Sequence, residues 1–156
     1  MKEDDGSRPE ALAELPVSAA PNRVTARGLR LIAERVAEIE AGLAAGPDPE
    51  HAARLKRDLR YWALRHATAR VEAPDPADPT VQFGSRVAWR GPDGVEHSAV
   101  ITGEDEADPA LGRLAWTAPV ARALTGAAAG DVVTLQLRGQ PVELEVVRVD
   151  IPGDDG

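Results

Sequence analysis

The sequence predicts an α+β protein: an N-terminal antiparallel helical hairpin, then a small antiparallel β domain with one short helix. Three observations predict it. Apolar residues at Leu29, Ile32, Val36, Ile39 and Leu43 recur at alternating spacings of three and four, which places them along one seam of a helix. A second such seam, Ala52, Leu55, Leu59, Trp62, His66 and Ala69, follows the breakers Gly46 and Pro47. From residue 80 onward the pattern changes to short β-prone runs divided by turn signals.

Residues 1–21 are rich in Glu, Asp, Pro, Ser and Ala without a sustained period, so a disordered leader is expected there. The hairpin is expected over 22–72. Thr25 is the N-cap of its first helix, which stops near Ala45 because the residue before a proline is pushed out of the α region. Asp48 caps the second helix, Pro49 occupies its first position, and Glu50 complements its dipole. At 1.5 Å per residue, arms of roughly twenty to twenty-four residues project on the order of 30 to 35 Å. Residues 73–79, with three prolines and two aspartates, form a stiff linker.

The β domain is expected over 80–152, with a tail at 153–156. Runs at 81–90 and 95–102 flank the turn Gly91-Pro92-Asp93-Gly94 and pair as a hairpin. A short strand follows at 113–116, Thr117 caps a helix from Pro119 to Leu124, and 131–137 and 142–151 form a second hairpin around Arg138-Gly139. A helix packed on a small sheet is the expected arrangement.

Composition narrows the function. The chain has 18 basic and 26 acidic side chains among 156 residues, which argues against specific binding of duplex DNA. Between Asn22 and Glu72, however, ten Lys or Arg face seven Asp or Glu, a net +3, while the remainder is net −11. Five aromatic residues argue against a large aromatic-lined pocket. The absence of cysteine removes disulfides and thiolate metal sites, and no apolar run approaches membrane-spanning length. A cytoplasmic monomer with no intrinsic cofactor or metal, and no membrane contact, is expected.

Three blocks carry a resemblance. They are Ile101-Thr102-Gly103-Glu104-Asp105-Glu106-Ala107-Asp108-Pro109, Thr117-Ala118-Pro119-Val120-Ala121-Arg122-Ala123-Leu124-Thr125-Gly126, and Gly130-Asp131-Val132-Val133. In order and spacing they resemble the C-terminal domain of Gre-type (GreA/GreB family) transcription elongation factors. Phe83-Gly84-Ser85, and Val24-Thr25 to Gly28-Leu29, are similar as well. The resemblance implies an FKBP-like β domain docking on bacterial RNA polymerase at the rim of its secondary channel, with the helical arm entering the channel. It implies polymerase-binding roles for Glu104, Asp105, Glu106, Ala107, Asp108, Pro109, Pro119 and Arg122. The tip departs from the family: Ala44-Ala45-Gly46-Pro47-Asp48-Pro49-Glu50-His51 lacks the usual acidic motif, and the arms look shorter.

Each candidate also has an ordinary structural reading. Asp48 and Glu50 are the only tip carboxylates. With the Mg²⁺ of the polymerase active centre they would suit cleavage of backtracked transcripts, or they serve only as cap and dipole partner. The loop 104–109 offers four carboxylates to a basic partner, or is merely solvated. Arg54, Arg57 and Arg60 face nascent RNA, or form intrahelical ion pairs such as Arg54 with Asp58. His66 is expected to be partly buried, and Trp62, Trp89 and Trp116 to pack in cores. The leading function is a non-enzymatic polymerase regulator of elongation or initiation. A Mg²⁺-dependent stimulator of transcript cleavage is the alternative, and a peptidyl-prolyl isomerase-like module is a third reading that the scarce aromatics disfavour.

Overall fold

A computed structural model describes residues 12–153. Residues 1–11 of the expected leader, and 154–156 of the expected tail, lie outside the described residues. The elements run β1 (Arg23–Val24), α1 (Ala26–Ala44), α2 (Pro49–Thr68), β2 (Arg70–Val71), β3 (Arg86–Arg90), β4 (Glu96–Thr102), two 3-10 turns (Glu104–Glu106 and Pro109–Leu111), β5 (Arg113–Ala115), α3 (Pro119–Leu124), β6 (Val132–Leu137) and β7 (Gln140–Asp150). The described chain divides into two compact units, a hairpin unit of residues 12–21 with 32–68 and a β unit of residues 22–31 with 69–153.

In the hairpin unit the local signals act as anticipated. The Asp48 carboxylate accepts the His51 N–H at 2.8 Å, satisfying one of the orphan donors at the start of α2. Ile32 and Ile39 are buried on α1. Gly42 lies so near Leu55 that a Cβ there would stand 3.3 Å from its Cδ1. His66 departs from expectation: it is exposed, and Arg65 is buried at 3%. The small side chains of Ala33 and Ala63 leave an open cavity of about 170 Å³ beside Val36 and His66. Toward its C-terminus, the less exposed line of α2 shifts instead through Asp58, Tyr61 and Arg65. Residues 12–18 have no helix or strand, and Glu14 pairs with Arg60.

In the β unit, five strands form one sheet in the order β5-β4-β3-β7-β6. The sheet is mixed rather than wholly antiparallel, because β5 runs parallel to β4 with Ile101 opposite Leu114. A parallel neighbour needs a crossover longer than a tight turn, and the two 3-10 turns between β4 and β5 supply it. The β6–β7 hairpin turns through Arg138 (φ 53°) and Gly139 (φ 78°), the paired left-handed residues of a type I′ turn whose twist matches that of the strands. Val81, Phe83, Val87, Ile101, Ala121, Leu124, Leu135, Leu144 and Val146 form the core, with Trp89 and Trp116 partly buried against it.

Two local features differ from the sequence reading. Thr117 does not cap α3: Ala118 holds the N-cap position without a side-chain bond, and the Thr117 hydroxyl donates to Glu104 Oε2 at 3.2 Å. Residues 73–79 are tied to the β unit. The Asp75 N–H donates to Gln82 Oε1, Gln82 Nε2 donates back to the Asp75 carbonyl, and Pro74 packs over Gly84.

Candidate functional site

The acidic loop of residues 104–109 is built from its two 3-10 turns. Glu106 in the first turn is buried, its side chain only 4% exposed. The Thr25 hydroxyl lies 2.8 and 2.7 Å from its two oxygens, and Arg27 pairs with it at 3.2 Å. Gly28 lies beneath: a Cβ there would stand 2.6 Å from Glu106 Oε2. Thr25 Oγ1 also accepts the Gly28 N–H at 2.9 Å, so one hydroxyl caps α1 and holds the loop. A buried charge persists only when paired and hydrogen-bonded, and Glu106 has both kinds of partner inside its own unit.

The neighbouring carboxylates are placed differently. Glu104 is half-buried; one oxygen accepts from Thr117, and Oε1 is buried without a hydrogen-bond partner. Asp105 is half-buried. Asp108 caps the second turn, accepting the Ala110 N–H at 3.1 Å, and its backbone bridges to Arg113. Ala107 is half-buried, whereas Pro109, Pro119 and Arg122 are exposed. Of the eight expected docking residues, three are therefore exposed, and Glu106 is consumed by internal bonds.

Beside this loop, Arg23 lies with its Cζ 4.7 Å from the centroids of both the Phe83 and Trp116 rings. This is cation–π range. Its Nε and Nη2 donate to Glu72 Oε1 at 3.1 and 2.9 Å. The contact is set by β1 and β2, which pair in parallel with Arg23 opposite Arg70.

At the hairpin tip, Glu50 has an 83% exposed side chain and pairs loosely with Arg54 at 3.5 Å. The His51 N–H bonded to Asp48 holds that carboxyl below the usual carboxylate range. The three basic candidates all have acidic neighbours: Arg54 meets Glu50 rather than Asp58, Arg57 pairs with Asp58 at 3.0 Å, and Arg60 grips Glu14 through two bonds of 2.7 Å. That side-on grip is the bidentate geometry by which a guanidinium matches a carboxylate. It lowers the Glu14 pKa and raises that of Arg60. Among the described residues no group of three or more His, Cys, Asp or Glu is placed to hold a metal ion, and no helix is long and apolar enough to cross a membrane.

Residues 76–151 match the family described as "Transcription elongation factor, GreA/GreB, C-term". The chain is 34% identical over 98 residues to transcription elongation factor GreB of Neisseria meningitidis serogroup B, covering 62% of this chain and 60% of that protein. It is also 34% identical over 126 residues to transcription elongation factor GreA of a Chelativorans species, covering 76% of this chain and 80% of the relative. The chain belongs to the GreA/GreB family. It spans about 60% of the length of the Neisseria relative. A solved structure of the transcription factor Gfh1 aligns with 85% of this chain and 99% of its own, at 19% identity and a TM-score of 0.42.

Within this GreA/GreB-family chain the matched segment contains the acidic loop and α3, but neither the tip carboxylates nor the hairpin arginines. Sequence reasoning missed Arg23 and Glu72, and it missed Thr25 and Arg27 as partners of Glu106. The only local signal was the spacing of Thr25 and Gly28 at the start of α1. Their partner lies 81 residues from Thr25, beyond the reach of periodicity or capping rules.

Proposed function

We propose that this protein is a non-enzymatic regulator of transcription that docks on bacterial RNA polymerase. In this reading the β unit grips the rim of the secondary channel and the helical hairpin enters the channel, modulating elongation or initiation in the cytoplasm. The observation that carries it is the family match over residues 76–151, which spans the whole of the 104–109 loop and α3. Internal bonds to Glu104, Glu106 and Asp108 hold that loop in one shape, and a preordered loop loses less entropy on binding. Ala107, Pro109, Pro119 and Arg122 are half-buried or exposed and are the residues of this surface proposed to meet a partner. Labelled protein should bind core polymerase in a fluorescence anisotropy titration and be displaced by other secondary-channel ligands. Binding that such ligands leave untouched rejects the channel reading.

A second reading, Mg²⁺-dependent stimulation of cleavage in backtracked complexes, rests on the high exposure of Glu50 at the tip. Two carboxylates, one of them engaged as a helix cap, do not make a metal site of their own. Any metal chemistry would belong to the polymerase. A backtracked-complex assay comparing wild type with Asp48→Ala and Glu50→Ala decides it: no shortening of the transcript by wild type removes the reading. Contact between Arg54, Arg57 or Arg60 and nascent RNA would require exchange of their present acidic neighbours. RNA crosslinking that is unchanged in an Arg57→Ala, Arg60→Ala double variant would exclude that contact.

A further inference from the structure

A pocket of about 250 Å³ in the β unit is lined by Arg23, Phe83, Ile101, Trp116, Arg122 and Thr125. Its lining contains two guanidinium groups and no carboxylate. Arg23 is held against the Phe83 and Trp116 rings, with its Nε and Nη2 committed to Glu72 Oε1. Arg122 is exposed on α3, and no acidic side chain of the described residues pairs with it. Trp116, which forms one wall, has its indole N–H buried without an acceptor. The Thr125 hydroxyl already donates to the Ala121 carbonyl at 2.7 Å. The lining is thus rich in donors and poor in acceptors within a chain whose formal net charge is −8.

From this we infer that the pocket receives a carboxylate side chain, Asp or Glu, of the protein on which the β unit docks. The inference rests on the polymerase-docking reading and adds to it the chemistry of one contact. Charge complementarity selects the occupant. A guanidinium presents a planar fork of donors to a carboxylate, and the aromatic wall lowers the local dielectric, so a pair formed there is worth more than one in open water. Ile101 and the Phe83 ring give the methylene stem of an acidic side chain an apolar surface. Glu72 offsets the charge of Arg23 from outside the lining, which leaves Arg122 as the net cation. Arg122 therefore selects the charge of the incoming group, while Arg23 and the rings shape the space it enters.

The test measures the affinity of the full chain for core polymerase, wild type against Arg122→Glu, Arg122→Lys and the charge-matched control Arg148→Glu, with thermal unfolding of each to establish folding. Roughly tenfold or greater weakening is expected for Arg122→Glu, since like charge would replace a bonded pair. Arg122→Lys should bind between the two, and Arg148→Glu like wild type. If wild type binds and Arg122→Glu binds equally well, the pocket assignment is wrong while the docking reading stands. If wild type does not bind, both fall. A second arm follows the Trp116 indole N–H resonance of the free protein, assigned by Trp116→Phe, during titration with a short blocked glutamate peptide and, separately, with inorganic phosphate. A shift with the peptide that is lost in Arg122→Glu supports the assignment. A shift with phosphate alone overturns it in favour of a phosphate-bearing ligand.

Discussion

The hydroxyl of Thr25 lies within 2.8 Å of both carboxylate oxygens of Glu106 and at the same time accepts the Gly28 N–H at 2.9 Å. A single small side chain thereby caps α1 and anchors the acidic loop through a residue 81 positions away. Removing it leaves two defects at once: an orphaned helix donor and a buried carboxylate short of a donor. Thr25→Val should destabilise the protein by about 1–3 kcal/mol, with Thr25→Ser close to wild type. Urea unfolding checks this, and a double-mutant cycle with Glu106→Ala should show coupling, because both changes remove the same bond.

Gly28 illustrates how the same contact reverses a local rule. Glycine inside a helix usually costs stability relative to alanine, so Gly28→Ala would ordinarily be a gain. Here the added Cβ would stand 2.6 Å from Glu106 Oε2, an oxygen bonded to the Thr25 hydroxyl on a carboxylate whose other oxygen pairs with Arg27. Gly28→Ala should therefore lower stability by about 1–3 kcal/mol through overpacking. Shortening the obstacle with Glu106→Asp should recover part of the loss in thermal unfolding of the double variant.

At the tip, Asp48 is an exposed cap whose carboxyl is held below its ordinary value of 3.8, chiefly by the His51 N–H. A carboxyl depressed in the folded state contributes stability that is present above its unfolded pKa and is lost as pH falls through the folded one. The melting temperature of Asp48→Ala should lie below that of wild type by a constant margin at neutral pH. That margin should narrow as pH falls below about 4. A margin independent of pH down to about 2 would contradict the cap.

Arg138 carries a left-handed backbone, φ 53°, at the first position of the β6–β7 turn. This conformation costs a non-glycine residue energy, and asparagine tolerates it best. Arg138→Asn, which creates the favoured Asn-Gly pair, should stabilise the protein by about 0.5–1 kcal/mol, and the β-branched Arg138→Val should destabilise it. Thermal denaturation followed by circular dichroism measures both.

The sequence by itself determined the elements whose causes are local. The seam from Leu29 to Leu43, the caps at Thr25 and Asp48, the break at Gly46 and Pro47, and the turns at Gly91-Pro92-Asp93-Gly94 and Arg138-Gly139 each depend on neighbours a few residues apart. They stand as read. Most of the C-terminal blocks that carry the GreA/GreB likeness were legible for a similar reason, since loop 104–109 and α3 are contiguous runs. Tertiary structure alone decided which polar groups turn inward. Nothing near Glu106 in sequence marks it as the buried member of an acidic run. It is buried because Thr25 and Arg27 reach it from the start of α1. The exposure of His66 beside a buried Arg65, the parallel pairing of β5 with β4, the capture of Arg23 between Phe83 and Trp116, and the Glu14–Arg60 pair have the same origin. Each needs a contact between segments distant in the chain, and periodicity and capping preferences act only over a turn or two of backbone.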